Sequence, residues 1–196
     1  MKKKYVQVGL GGRARFFYEA IASTYHQTCE LVGFCDVSQT RMDYANRILV
    51  NKYGQKKVKT CMPSQFEQLL DDVRPAEVII TSVDRTHHDY IIRAMKKGYD
   101  VICEKPLTID EEKAQEIITV QKQTGRSLRV TFNYRYAPYH TKIKELIESD
   151  VIGDVFSIHF EWLLNTNTGQ IISEDGIEIS TIAAGFLFIN LPIILI

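Results

Sequence analysis

Apolar and polar positions follow two alternating patterns over the first 130 residues of the chain. Short apolar runs rich in β-branched residues, typical of buried strands, are separated by segments with apolar residues at helical spacing. The predicted strands are 5–8, 31–35, 58–60, 78–81, 101–103 and 128–132, and the predicted helices are 16–25, 40–53, 63–72, 89–97 and 109–124. Strand–helix alternation with short loops predicts an α/β fold, a doubly wound parallel sheet of the Rossmann type.

The pattern changes after residue 132. Residues 141–149 have helical spacing, and residues 155–162 alternate apolar and polar side chains, as a half-exposed antiparallel strand does. We therefore predict a Rossmann-type domain over residues 1–132. Residues 133–167 are expected to begin a second, α+β domain.

The balance of positive and negative charges argues against a nucleic-acid partner. The 196 residues carry 24 Lys and Arg against 24 Asp and Glu, and a nucleic-acid-binding surface usually needs a basic excess. Four cysteines lack the spacing of a zinc site, so we expect reduced thiols rather than disulfides or metal ligands. The basic N-terminus lacks the apolar segment of a signal peptide. These features predict a cytoplasmic protein that binds no nucleic acid, membrane or metal.

A glycine motif follows the first predicted strand directly and precedes the first predicted helix. Gly9, Gly11 and Ala14 form G-x-G-x-x-A. In this pattern the first glycine permits a tight turn, the second lets the backbone approach a pyrophosphate, and the small third residue lets helix and strand pack closely. The free N–H groups at the helix N-terminus favour phosphate binding. The motif therefore predicts a dinucleotide site.

Asp36 ends the second predicted strand, 22 residues after Ala14. A carboxylate at about this offset from the glycine motif hydrogen-bonds the ribose diol of a bound dinucleotide. The alternative is a solvated aspartate or the cap of the next helix. A carboxylate repels a 2′-phosphate, so NAD is favoured, while the nearby Arg41 keeps NADP as the alternative.

Glu104, Lys105 and Pro106 follow the fifth predicted strand, at the sheet edge where doubly wound folds bind ligands. Lys105 beside Glu104 has the chemistry to donate a hydrogen bond to a reacting oxygen and to stabilise charge that develops there. The alternative is a simple turn before a helix. Spacing alone does not separate these two interpretations.

Three segments carry a resemblance to a known family. They read VGLGGRAR, HHDYIIRAMKKGYDVICEKPLT and FNYRYAPYHTKIKELIESDVIGDVFSIHFEW. Over residues 3 to about 167 the chain resembles the Gfo/Idh/MocA oxidoreductases, NAD(P)-dependent enzymes that transfer a hydride to or from sugars, polyols and related hydroxy compounds. The resemblance implies a nicotinamide dinucleotide cofactor, a small hydroxylated substrate and a parent protein that forms homo-oligomers. It also implies that the domain beginning at residues 133–167 serves substrate binding and oligomerisation.

The resemblance also implies roles for individual residues. Lys105 would be the catalytic residue, with Asn133 and Arg135 near the nicotinamide or the substrate. The implied cofactor contacts are Gly9, Gly11, Gly12, Arg13, Asp36, Ser82, His87 and Glu104. The family often has Thr-Pro-Asn before its loop histidine. Here Ser82-Val83-Asp84 stands instead, so the contacts of that loop do not follow from the family pattern.

The resemblance ends at Asn167, beyond which the family carries a glycine pair and a histidine that exchanges a proton with the lysine. When residues 168–196 are translated back into codons, a reading frame displaced by one base can encode that missing family sequence. We therefore expect a single-base deletion at Asn167, natural or from sequencing. Residues 168–196 would be a non-native tail, and the chain would show little or no turnover.

Three other interpretations remain open at this point. The chain would be a non-catalytic nucleotide-binding module, or its parent would use NAD to assist glycoside hydrolysis. Residues 179–196 carry no charge and have the minimum length of a membrane anchor. Interrupting polar residues and an acidic upstream flank disfavour that anchor.

Overall fold

The strands of the chain form one parallel sheet. The computed structural model describes residues 1–159. The strands are β1 Lys3–Val8, β2 Cys29–Cys35, β3 Lys59–Cys61, β4 Glu77–Ile80, β5 Asp100–Cys103 and β6 Leu128–Val130. They lie in the order β3-β2-β1-β4-β5-β6, and each neighbouring pair is parallel. The order reverses between β1 and β4, which opens a crevice at the carboxyl ends of these two strands.

Helices connect successive strands, as the sequence predicts. They are α1 Ala14–Ala22, α2 Gln39–Tyr53, α3 Phe66–Val73, α4 Asp84–Lys96 and α5 Glu111–Thr124, and a 3-10 turn, Pro63–Gln65, precedes α3. Side-chain caps begin two of them, because Ser38 and Asp110 accept hydrogen bonds from backbone N–H groups of α2 and α5. Both of these helices end at a glycine in the left-handed conformation.

Two apolar clusters show that helices cover the sheet on both faces. One cluster joins the strands to α3, α4 and α5 through fully buried Phe66, Ile91 and Ile117. The other joins Phe34 of β2 to α1 and α2, and contains Met42. The doubly wound α/β prediction is therefore confirmed.

Helix α4 and the last predicted strand depart furthest from the predictions. Helix α4 begins at Asp84 rather than at residue 89. Its first turn is polar in sequence, so apolar periodicity misses it, yet His87 in that turn is fully buried by contacts outside the helix. Residues 155–159 have no regular secondary structure, whereas a strand was predicted over 155–162; residues 160–162 lie outside the described residues. A strand requires a partner, and none pairs with 155–159 among the described strands.

The chain divides into two compact units, Met1–Thr131 and a second that begins at Phe132. The second unit contains a 3-10 turn, Asn133–Tyr136, and a helix α6, Pro138–Glu148. Pro138 opens α6, where its missing N–H costs little. His140 Nδ1 lies 2.7 Å from the Tyr134 carbonyl oxygen, which ties α6 to the turn before it.

The predicted tail, residues 168–196, lies outside the described residues, as does the candidate anchor over 179–196. Within residues 1–159, no helix has the length and apolar character needed to cross a membrane. All four cysteines are free thiols, and three of them are buried.

Gly9 follows β1 with φ of +80°, a left-handed conformation that side chains disfavour. A Cβ atom at this position would lie 2.4 Å from both the N and the Cα atoms of Ser82. The backbone after β1 therefore passes against the backbone after β4 with no room for a side chain.

We predict that Gly9→Ala destabilises the protein by at least about 1–2 kcal/mol, the usual cost of the left-handed backbone alone, and by more because backbone atoms overlap. Urea unfolding measures the difference. Gly12→Ala is the control, since a Cβ there meets nothing within 4 Å. Equal unfolding midpoints for the two variants would contradict the close approach.

Candidate functional site

A buried polar network holds the glycine loop in place. Gln7 lies in β1 and is fully buried. Its Nε2 donates to the Ala14 carbonyl and to Thr81 Oγ1, both at 3.0 Å. Thr81 Oγ1 in turn lies 2.7 Å from the Gly9 carbonyl oxygen. A buried amide is costly without partners, so these contacts fix the loop relative to β1 and β4.

Sequence reasoning did not single out Gln7 or Thr81. A polar residue inside an otherwise apolar strand is a signal for such a network, and Gln7 gives that signal. Thr81 gives none, because a threonine is ordinary at the end of a β-branched run.

The rest of the glycine loop leaves space for a ligand. A Cβ at Gly11 or Gly12 would meet nothing within 4 Å. Ala14 is fully buried and begins α1, and its N–H donates to the Gly11 carbonyl at 3.1 Å. The N-terminus of α1, a nine-residue helix, follows this open stretch of backbone. The arrangement fits a pyrophosphate, because the N–H groups and the helix dipole both favour an anion.

Asp36 lies beside this loop, as the sequence predicts for a ribose-binding carboxylate. Its Oδ2 accepts a hydrogen bond from the Leu10 N–H at 2.5 Å, and its Oδ1 accepts one from the Ser38 N–H at 2.7 Å. The residue is only 5% exposed. A carboxylate has about four acceptor positions, so two remain for a diol after these contacts. Arg41 is exposed in the first turn of α2.

Glu104, at the end of β5, joins three loops. Its Oε1 accepts from Arg13 Nε at 2.9 Å and from Thr131 Oγ1 at 3.0 Å. Its Oε2 accepts from the Lys105 backbone N–H at 3.1 Å. The carboxylate is nearly buried, and a buried charge requires such partners. The structure thus brings together the phosphate loop and the Glu104–Lys105 turn.

His87 connects the loop after β4 with the turn after β5. Its Nδ1 lies 2.8 Å from the Pro106 carbonyl oxygen, and its Nε2 lies 3.0 Å from the Ser82 carbonyl oxygen. A neutral imidazole carries one N–H, so one of these contacts is a hydrogen bond in each tautomer. The Lys105–Pro106 peptide is cis. The side chain of His87 therefore positions two loops, and its implied cofactor contact stays a prediction.

Asp84 is a site residue that sequence reasoning did not assign. It lies in the first turn of α4, half-buried, and its titratable neighbours are His87, Lys105 and Glu104. Burial raises the pKa of Asp84 above its ordinary 3.8, although His87 and Lys105 act in the opposite direction. The sequence signal was the departure from the family's Thr-Pro-Asn, which marked the loop without giving the residue a role.

The remaining predicted residues divide between the two units. Lys105 is half-buried, and its backbone is held by Glu104. Asn133 and Arg135 are exposed in the 3-10 turn of the second unit. Residues 1–159 contain no group of three or more side chains arranged to hold a metal ion.

Residues 3–132 match the model of the Gfo/Idh/MocA family, described as an oxidoreductase family with an NAD-binding Rossmann fold. The chain belongs to this family. The match covers more than half of the chain and coincides with the sheet and the loops described above. The Gfo/Idh/MocA resemblance given by the sequence is therefore confirmed.

Individual relatives of this Gfo/Idh/MocA chain include sugar and polyol dehydrogenases. YteT of Bacillus subtilis (strain 168), an oxidoreductase by name, is 29% identical over 85% of this chain and 39% of its own length. Glucose-6-phosphate 3-dehydrogenase of the same organism is 31% identical over 81% of this chain and 42% of its own. The chain thus spans about two fifths of the length of these relatives.

A solved structure shows the same fold. Scyllo-inositol dehydrogenase from Lactobacillus casei, with bound NAD(H) and scyllo-inositol, superposes with a TM-score of 0.68 at 24% identity. The superposition covers 79% of this chain and 43% of that one. At this identity the likeness supports the fold alone.

We predict that the free energy of unfolding of the wild type falls relative to that of Asp84→Asn as the pH rises above 3.8. A carboxyl with a raised folded-state pKa binds its proton more tightly when folded, so its ionisation favours unfolding. Urea unfolding of both proteins at a series of pH values gives the difference.

Asp72→Asn is the matched control, because hydrogen bonds from Gln68 and Lys59 lower the pKa of that exposed carboxyl. The wild type should gain stability relative to this variant as the pH rises, a slope of opposite sign. A pH-independent difference for Asp84→Asn would show that burial does not penalise the charged carboxylate.

Proposed function

We propose that the protein is a nicotinamide-dependent oxidoreductase that transfers a hydride to or from a hydroxylated small molecule, and that it prefers NAD over NADP. The observation that carries the proposal is the pairing of an open glycine loop with the anchored carboxylate of Asp36. Bound nicotinamide supplies or accepts the hydride. The residues of this chain bind, orient and polarise the reactants.

Asp36 supports the preference for NAD. Leu10 and Ser38 hold its carboxylate in place through hydrogen bonds from their backbone N–H groups. A fixed negative charge accepts hydrogen bonds from a free ribose diol and repels a 2′-phosphate. Arg41 lies in the first turn of the next helix, α2, and is the residue that would favour NADP.

Lys105 is the residue that we propose to act on the substrate oxygen. It follows the carboxyl end of β5, the edge of a doubly wound sheet at which ligands bind. Its ammonium donates a hydrogen bond to a hydroxyl or carbonyl oxygen and stabilises negative charge that forms there. The other proposed cofactor contacts within residues 1–131 are Gly9, Gly11, Gly12, Arg13, Ala14, Ser82, His87 and Glu104. For Asn133 and Arg135, in the second unit, the proposed role rests on the family resemblance alone.

The relatives favour a sugar, polyol or cyclitol as the substrate. A glucose-6-phosphate 3-dehydrogenase and a D-glucoside 3-dehydrogenase are both related to this chain. A nucleotide-binding module without chemistry is the second candidate function. We favour the oxidoreductase, because the module would give Lys105 no role.

We predict that the chain binds NADH more tightly than NADPH, and that Asp36→Asn lowers NADH affinity by roughly tenfold or more. The expected loss follows from the usual 1.5–3 kcal/mol of a hydrogen bond to a charged group. The same substitution should bring the ratio of NADH affinity to NADPH affinity closer to one, because the repulsion of the 2′-phosphate disappears. Calorimetric titration measures all four dissociation constants.

Asp43→Asn is the control for charge, since Asp43 is exposed on α2 and its Oδ1 accepts from Gln39 Nε2 at 2.9 Å. It should leave both affinities within about twofold of wild type, the range of small surface effects. If the wild type binds both cofactors equally, or neither, the assignment of Asp36 is wrong.

Hydride transfer is tested with the protein expressed from its complete gene. NADH formation is followed with inositols and glucosides as substrates. Lys105→Met should lower kcat by at least about a hundredfold, the usual contribution of a positioned proton donor, while NADH affinity stays close to wild type. Equal loss of cofactor affinity would indicate a structural role for Lys105 instead.

A further inference from the structure

The side chain of Arg13 crosses from the phosphate loop to the opposite side of the crevice. Its Nε donates to Glu104 Oε1 at 2.9 Å, although 91 residues separate the two in sequence. The side chain of Arg13 is 42% exposed, whereas that of Glu104 is 6% exposed. The pair therefore consists of a buried, fixed anion and a cation that solvent or a ligand can reach.

Glu104 extends this contact to the backbone of Lys105. The carboxylate oxygen that does not meet Arg13 accepts the Lys105 N–H at 3.1 Å. Thr131 Oγ1 fixes the first oxygen at 3.0 Å. One carboxylate therefore contacts Arg13 through one oxygen and the Lys105 backbone through the other.

Arg13 also stands where an anion is expected. It is the residue before α1, so its side chain begins at the helix N-terminus that fits a pyrophosphate. The Phe16 ring lies 5.0 Å from the guanidinium carbon, which restricts its position. A guanidinium carries five N–H donors in a planar fork, and the contact with Glu104 uses Nε. The geometry allows one guanidinium to meet two anions at once.

We propose that Arg13 is a positioning residue that couples the pyrophosphate of the cofactor to the Glu104–Lys105 turn. The proposal rests on the proposed function, because it requires a dinucleotide at the glycine loop. A phosphate that binds Arg13 fixes the guanidinium between two anions. The carboxylate of Glu104 then shifts with the guanidinium, and its hydrogen bond to the Lys105 N–H changes. Cofactor binding thereby sets the orientation of the residue proposed to act on the substrate.

The experiment observes the Lys105 amide directly. The protein is labelled with 15N-lysine, and its Lys105 resonance is the one that disappears in Lys105→Arg. ADP is the probe, because it carries a diphosphate and lacks both the second ribose and the nicotinamide. In the wild type, saturation with ADP should shift the Lys105 amide resonance.

Two variants separate coupling from phosphate binding. Arg13→Gln should weaken ADP binding by roughly tenfold, as expected for one lost charge-assisted contact, and should abolish the Lys105 shift at saturation. Arg13→Lys keeps the charge without the planar fork. It should retain ADP affinity within about threefold, from the charge that it keeps, and still lose the Lys105 shift.

Arg15→Gln is the matched control. Arg15 stands two residues later on α1 and pairs with Glu19 on an exposed surface, at 2.6 Å. This variant should bind ADP as the wild type does and keep the full Lys105 shift. Urea unfolding of the three variants confirms that each is folded.

The outcomes distinguish two kinds of failure. If ADP binds the wild type without shifting Lys105, or if Lys105 shifts equally in saturated Arg13→Lys, the coupling is overturned and the dinucleotide site stands. If neither ADP nor NADH binds the wild type, the proposed function itself fails, and the coupling fails with it.

Discussion

The backbone of Gly9 lies against the backbone of Ser82 so closely that no side chain fits between them. This contact joins the ends of β1 and β4, the two strands at which the order of the sheet reverses. A crevice forms there because the connections from these strands run to opposite faces of the sheet. The candidate site depends on that approach, since two of the loops that line it begin at these two residues.

Beyond the contact between Gly9 and Ser82, a series of buried polar contacts holds the site together. Gln7 and Thr81 hold the glycine loop in place through hydrogen bonds. Ser82 and Pro106 are linked through the ring of His87, and Glu104 links the turn after β5 back to Arg13. Most of these groups are poorly exposed, so each contact is stronger than it would be in water, and each loss leaves a costly unpaired group. Rigid loops of this kind suit a site that must hold a long cofactor in one orientation.

The site brings charged groups of both signs together. Arg13 pairs with the buried Glu104, Lys105 follows Glu104 in the chain, and Asp36 lies beside the glycine loop. Asp84 adds a second carboxyl near Lys105, and burial raises its pKa. Titratable groups with perturbed pKa values near a cleft are typical of functional sites, although ion-pair networks also produce them. The family assignment, made on residues 3–132, supports the functional interpretation.

The sequence by itself determined the fold class and the position of most strands, because the period of apolar residues records which faces are buried. The family followed from a different signal, the resemblance of three segments that include the glycine loop and the Glu104-Lys105-Pro106 turn. The sequence also marked the glycine loop, Asp36 and Lys105, whose residue types follow from local chemistry at strand ends. The tertiary structure alone decided which loops meet. The pairing of Arg13 with Glu104 spans 91 residues, and His87 in the polar first turn of α4 is buried and contacts the Pro106 carbonyl oxygen after β5. Such contacts depend on the packing of distant segments, which no local pattern of residues encodes.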